Sequence, residues 1–222
     1  MLEDYDIYCI NLPEDVERRQ HLKKQFESVN IDDSIVNYMC AEKPFSGYKS
    51  TNYQFAGELG CTLSHLKTII RSMENFDQKH LLIVEDDATF HNSLDLKKQI
   101  NNVINDLHNE WDIIYLGGSP TTKLKKYNDK LCIVTGEFKQ TVGYILNVKS
   151  KIKLAEFITD SISKPFPNAC ADNILSNFRK EDRVMCFYPP LIYQKEGYSP
   201  LRNGFRDYRN VTDNLWKENK PE

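Results

Sequence analysis

The chain has 222 residues, of which 40% are hydrophobic and 27% charged, a composition that suits an ordered globular domain and excludes a disordered chain. Its 29 Lys and Arg against 32 Asp and Glu leave a net charge of -3, so a general electrostatic grip on nucleic acid is not expected. No apolar run approaches membrane-spanning length, and the apolar stretch of the acidic N-terminus is too short for a signal peptide. Six cysteines, at 9, 40, 61, 132, 170 and 186, show neither a CxxC pair nor zinc-ligand spacing. Several sit inside apolar segments (YCI, LCIV, MCFY), where a reduced cysteine acts as a small core residue. The sequon Asn210-Val211-Thr212 has no export signal beside it. A cytoplasmic, reducing setting is the expectation.

In chain order, residues 5–12 (YDIYCINL) read as a buried first strand. Pro13 then opens a helical pattern over about 14–29, with Val16, Leu22, Phe26 and Val29 on one face. Residues 32–58 carry no strong period and form a long irregular stretch, of the kind that is often functional. A second amphipathic helix is predicted over about 59–76, on Leu59, Leu63, Leu66, Ile69, Ile70 and Met73. Ser93 can cap a third, with Ile100, Val103, Ile104 and Leu107 inward. WDIIYLGG (111–118) is a strand expected to break at Gly117 and Gly118, where backbone could approach a ligand closely or simply turn.

Further strands are predicted at 131–135 and 142–146, then helices at about 150–162 and 171–179. VMCFYPPLIYQ is strand-like, and its Pro189 and Pro190 place it at a sheet edge or bend. Residues 197–222 show no clear period. Alternating strands and helices imply one α/β domain with a mostly parallel sheet and an irregular C-terminal part.

The most informative junction is LLIVEDDATFH at 81–91, where a short apolar run ends in Glu85, Asp86 and Asp87. In α/β sheets ligands bind just beyond the carboxyl ends of strands, where these acids would project. Adjacent carboxylates repel unless a cation or hydrogen-bond donors offset the charge. The junction is therefore either a divalent-metal site holding a phosphorylated ligand or an acidic turn facing water.

Five segments in order carry a resemblance: INLPEDVERR (10–19), GELGCTLSHLKTI (57–69), LLIVEDDATF (81–90), WDIIYLGG (111–118) and VGYILN (142–147). Together they resemble glycosyltransferase family 25, which includes bacterial lipopolysaccharide galactosyltransferases and collagen galactosyltransferase domains. The resemblance covers about residues 5–200. It implies a GT-A-like (Rossmann-like) single domain, with a nucleotide-sugar half near 1–118 and an acceptor half near 119–222. It also implies a UDP-sugar donor, usually UDP-galactose, a manganese-type ion (Mn2+ or Mg2+) and an inverting transfer. The acceptor would be a hydroxyl on a glycan, a lipid-linked oligosaccharide or a protein.

Under that resemblance Glu85, Asp86 and Asp87 match the family's acidic motif. Asp87 is expected as the direct metal ligand, with Glu85 on metal-bound water or ribose. Asp86 would point the other way, toward the donor, because side chains alternate in extended backbone. Asn11, Arg18 and Arg19 match the first motif, and an arginine there can pair with the uracil edge or a diphosphate oxygen. Adjacent helical residues point about 100° apart, so only one of the two arginines should reach the ligand. Ser64 and His65 match the next segment as donor-binding or helix-fixing groups, although His65 can equally be a satisfied core histidine.

The inverting displacement needs a base. Asp172, Glu196 and Asp160 are candidates, with Asp172 in ADNIL preferred, while a plain helix N-cap is its simpler use. Gln194 stands where such enzymes often supply a late ligand, usually histidine. Lys123, Lys125 and Lys126, and Arg202, Arg206 and Arg209, form two basic stretches; Tyr198, Phe205 and Tyr208 could stack on a sugar ring. Alternatives are a glucosyltransferase of the same mechanism, a non-catalytic binding relative, or a metal-dependent phosphohydrolase or nucleotidyltransferase, though the last lacks GxxxxGK[ST].

Overall fold

The computed structural model describes residues 4–43, 53–74, 78–91, 95–107, 110–164, 169–178, 183–199 and 204–221. Four strands form the centre of its main sheet: β1 (Tyr5–Asn11), β3 (His80–Glu85), β5 (Ile113–Pro120) and β8 (Phe138–Leu146). Each is apolar along most of its length because both faces are covered. With β2 (Val36–Cys40), β6 (Lys125–Lys126), β7 (Leu131–Ile133) and β9 (Val184–Phe187), the sheet has eight strands in the order β2-β1-β3-β8-β5-β9-β7-β6. Following the pairings across it, β7 and β8 run against the common direction of the other strands. The sheet is thus mostly parallel, as expected.

Successive side chains on these strands feed two cores. On one face Ile7, Cys9, Leu82, Val84, Ile114 and Leu116 pack under α1 (Val16–Ser28) and α3 (Leu96–Asp106). On the other, Tyr8, Ile10, Leu81, Ile83, Ile113 and Tyr115 meet residues of α2 (Tyr53–Met73), α4 (Lys151–Ile162), α5 (Ala171–Asn177) and α6 (Tyr208–Glu218). The result is a helix–sheet–helix sandwich. Two small antiparallel ribbons sit at its rim: β4 (Ala88–Phe90) with β10 (Ile192–Gln194), and β11 (Gly197–Ser199) with β12 (Gly204–Arg206).

Several sequence expectations need correction. Helix α1 starts at Val16, not near 14, because the Asp15 carboxylate caps it by accepting from the Arg18 N–H; Pro13 lies in the preceding turn. Val16 is exposed, as are Ile70 and Met73 of α2, so those faces are narrower than the periodicity suggested. Helix α3 is capped by Asp95, while Ser93 lies outside the described residues.

Strand β5 does not break at its glycines. It continues to Pro120 with register shifts around Gly117, where the Ile192 backbone passes too close for any side chain. Strand β9 lies inside the sheet between β5 and β7; the prolines fall in the bend after it, where Tyr188-Pro189 is cis. Helix α6 went unpredicted, although Asp207 caps it and Thr212 and Trp216, one turn apart, are its buried face. Strands β2 and β4 and the β11–β12 ribbon were missed too, while β10 falls within the strand-like VMCFYPPLIYQ. Among the described residues no helix is long and apolar enough to cross a membrane.

Candidate active site

Strands β1 and β3 are parallel neighbours, with Ile10 beside Glu85, so their carboxyl ends open at the same rim. Beyond that end the chain turns tightly through Asp86 and Asp87 before β4 pairs with β10. Alternation of side chains does not apply in such a turn, and Asp86 and Asp87 share a partner instead of diverging as expected. Arg18 reaches both: its Nη1 lies 2.9 Å from Asp86 Oδ1 and 3.4 Å from Asp87 Oδ2. Asp86 also accepts from Asn11 Nδ2 at 2.8 Å, which fixes its plane against the end of β1. Asp87 accepts from Gln194 Nε2 at 2.9 Å, and its backbone carbonyl accepts from the Lys195 N–H at 2.7 Å. The short β4–β10 ribbon is therefore what orients Asp87. Asp87 Oδ1 is buried and, among the described residues, has no hydrogen-bond partner.

A cleft of about 280 Å³ opens here, lined among others by Arg18, His21, Asp86, Asp87, Lys195 and Glu196. His21 lies one turn beyond Arg18 on α1 and meets the Ala88 carbonyl at 3.0 Å. Neither His21 nor Lys195 was singled out from sequence. The i, i+3 spacing from Arg18 was a usable signal for His21. For Lys195 there was none, since only the long-range ribbon brings it to the cleft.

Glu85 turns toward α2, where His65 Nε2 lies 3.3 Å from its Oε1, while its charge still reaches Asp87. The other ring nitrogen of His65 lies 3.1 Å from the Tyr144 hydroxyl. Burial holds the His65 pKa down to about 4, so the ring is neutral near pH 7. With Glu85 ionised, a chain from Tyr144 O–H to Nδ1, and from Nε2–H to the carboxylate, satisfies both nitrogens. His65 is in this sense a buried, satisfied histidine that positions Glu85. Ser64 beside it does not face the cleft. Its hydroxyl donates to the Gly60 carbonyl at 2.7 Å and accepts the Glu42 N–H at 2.8 Å, tying α2 to the segment after β2. Arg19 also points away, its guanidinium 4.1 Å above the Tyr38 ring.

Asp172 is not the N-cap of α5; that position is Cys170. Its two carboxylate oxygens accept the Gln140 N–H at 2.9 Å and the Thr141 N–H at 3.0 Å. Gln140 has φ 54°, a left-handed conformation that turns successive N–H groups toward one anion. Asp172 also stands near enough to Glu85 for its charge to raise that group's pKa. Of the other base candidates, Glu196 lines the cleft, whereas Asp160 is 71% exposed on α4 and pairs with Lys164 at 3.1 Å. Arg202 lies outside the described residues.

Burial, with the charges of Asp172 and Asp86, pushes Glu85 up to about 8; burial, with the charge of Glu85, pushes Asp87 up to about 7. Both values lie above those of the unfolded chain, so the fold binds these protons more tightly. Stability is lost as pH rises toward 8. Thermal unfolding in chelator should show the melting temperature falling by about 5 °C or more between pH 5.5 and 8.5. A flat or rising profile over that window would contradict the assignment.

The site suits a hard divalent cation. Glu85 and Asp87 supply carboxylate oxygens, one of them an orphaned buried atom, and both groups gain from a nearby positive charge. Cys61, His65 and Glu85 also bring donor atoms within 4.8 Å of one another. That set suits a soft ion poorly, because burial and the Glu85 charge keep the Cys61 thiol protonated and both His65 nitrogens are engaged.

Three comparisons relate the chain to known proteins. The family model for glycosyltransferase family 25 (LPS biosynthesis protein) matches residues 4–170. A glycosyltransferase 25 family member of Aedes aegypti is 24% identical, covering 87% of this chain and 36% of that protein. Another, of Drosophila pseudoobscura pseudoobscura, is 28% identical over 67% of this chain and 26% of its own length. Procollagen galactosyltransferase 1-B of Xenopus laevis is 24% identical over 67% of this chain and 28% of its own. The chain thus spans about a third, or less, of the length of these curated relatives. In fold it is similar to a crystal structure of a glycosyltransferase involved in glycosylation of the major capsid of PBCV-1. That likeness has a TM-score of 0.51 and 12% identity, and covers 90% of this chain and 96% of the other. The fold is GT-A-like, and the chain belongs to glycosyltransferase family 25.

Proposed function

We propose that the chain transfers galactose from UDP-galactose to an acceptor hydroxyl on a glycan, a lipid-linked oligosaccharide or a protein, with inversion at the sugar carbon. The observation that carries this reading is the cleft in which Asp87, with its unpartnered oxygen, faces Arg18 and Lys195 beyond the end of β3. The family and the galactosyltransferase among its relatives support the sugar. Glu85 and Asp87 would hold Mn2+ or Mg2+, which when bound offsets the negative charge developing on the diphosphate.

The protein's own groups do the rest. Arg18 and Lys195 supply positive charge to the diphosphate oxygens as the bond to the sugar carbon breaks and its electron pair moves to UDP. Asn11 keeps Asp86 oriented, and Gln194 does the same for Asp87. Asp172, its plane fixed by two N–H groups, takes the proton from the acceptor oxygen as that oxygen bonds to the sugar carbon. His65 holds Glu85 in place through its Nε2.

UDP release from a panel of UDP-sugars, with Mn2+ or with chelator, tests the reading. Slow Mn2+-dependent release from UDP-galactose alone is expected, and preference for UDP-glucose would reassign the sugar. Asp172→Asn should still bind UDP, as read by thermal shift, while transfer falls by about a thousandfold. Loss of UDP binding in that variant would make Asp172 a structural anchor. Turnover of no donor, with no stabilisation by any donor plus Mn2+, would leave a non-catalytic relative.

A further inference from the structure

We infer that Arg18 is the internal counter-ion of the cation site: it occupies the carboxylates when no divalent ion is bound and is displaced from them when one is. The inference rests on the reading of Glu85 and Asp87 as ion-binding groups and deepens it.

Three carboxylates among the described residues lie against this guanidinium. One Nη1 atom lies 2.9 Å from Asp86 and 3.4 Å from Asp87, so a single nitrogen serves both acids. The longer contact is poor geometry for a permanent bond. The Nε atom lies 3.3 Å from Asp15, the N-cap of the same helix. Arg18 thus keeps a carboxylate partner on α1 even if it leaves the turn. Its side chain is 28% exposed, against 13% for Asp87, so the arginine sits at the mouth and the acid at the base. Asp87 meets Arg18 and Gln194 through Oδ2 alone, leaving Oδ1 free to take an ion from inside the cleft. A divalent charge arriving there repels the guanidinium and neutralises the acids that held it. The displaced arginine stays at the mouth, tethered to Asp15, where the diphosphate of a nucleotide enters.

The consequence has an unusual sign. An ordinary structural arginine, once removed, weakens a site it supports. A counter-ion, once removed, strengthens binding of the cation that competes with it, and weakens binding of the anion it would serve next.

Calorimetric titration of MnCl2, without nucleotide, into wild type, Arg18→Met and Arg18→Lys tests this, followed by UDP at saturating Mn2+. Arg18→Met should bind Mn2+ roughly tenfold more tightly than wild type, and UDP at least tenfold more weakly. Arg18→Lys, which keeps the charge, should stay near wild type for Mn2+. On unmodified protein the Arg18 side-chain Nε–H NMR signal should move when Mg2+ is added, a readout that needs no folded variant. Mn2+ affinity that is unchanged or weaker in Arg18→Met, or an Arg18 signal indifferent to Mg2+, overturns the counter-ion role and leaves the ion site standing. Absence of Mn2+ binding to wild type overturns both.

Discussion

Replacing Asp87 by Asn should abolish Mn2+ binding and lower sugar transfer by about a thousandfold or more, while leaving the protein folded and somewhat more stable in chelator. The stability half of this expectation comes from the electrostatics of the turn. Burial and the Glu85 charge push the Asp87 carboxylate up to about 7, so near neutral pH its ionised form is a strained state of the fold. Asparagine removes that charge and keeps the shape, and its amide oxygen can still accept from Gln194 as Oδ2 does at 2.9 Å. The loss of function follows from the same substitution, because the orphaned Oδ1 is replaced in whole or in part by an amide that attracts a cation far less. The two halves are read separately, by thermal unfolding in chelator and by UDP release with acceptor. A variant that is less stable in chelator and still binds Mn2+ would show Asp87 to be a structural acid and shift the ion to other groups.

Much of the architecture was legible because it rests on period and composition. Leu22 and Phe26, or Ile100 and Val103, recur at helical spacing and are buried where the spacing put them. The apolar runs of β1, β3 and β5 are covered on both faces, and the acids after β3 project at the rim as the rule for α/β sheets requires. What escaped was short or non-local. Strand β4 has three residues, too few to show a period, yet its long-range pairing with β10 holds Asp87 through Gln194 and Lys195. Helix α6 buries only Thr212 and Trp216, with Val211 exposed, so its apolar signal drowned among polar neighbours.

The candidate site divides along the same line. The 100° between neighbouring helical residues separates Arg18, at the acids, from Arg19, over Tyr38. The orientation of Asp172 depends on backbone N–H groups 31 and 32 residues away and on a left-handed Gln140, which no local pattern announces.

The second large effect expected lies away from the acids, at Gly117. A methyl group there would stand 2.8 Å from the Ile192 carbonyl carbon and closer still to its oxygen, so the obstacle is backbone that cannot rotate aside. To admit Gly117→Ala, β10 must draw back from β5. That movement breaks the Leu191 N–H bond to the Leu116 carbonyl, now 2.7 Å. It also disturbs the register in which Gln194 faces Ala88. Overpacking at rigid backbone, with a buried hydrogen bond lost, should cost about 3 kcal/mol or more of stability.

The larger consequence is at the cleft, because Gln194 and Lys195 hold Asp87 and both follow β10. Urea unfolding and Mn2+ titration on the same variant should therefore change together, with Mn2+ affinity falling at least tenfold although no group of the ion site has been altered. If Gly117→Ala unfolds within about 0.5 kcal/mol of wild type, the close approach is not a constraint in solution. If it is destabilised but binds Mn2+ normally, the ribbon does not position Asp87, and the turn of residues 86–87 holds the acids by itself. The glycine whose place in the sequence suggested close approach by a ligand is, on this geometry, where the central sheet grips the ribbon that aims the acid.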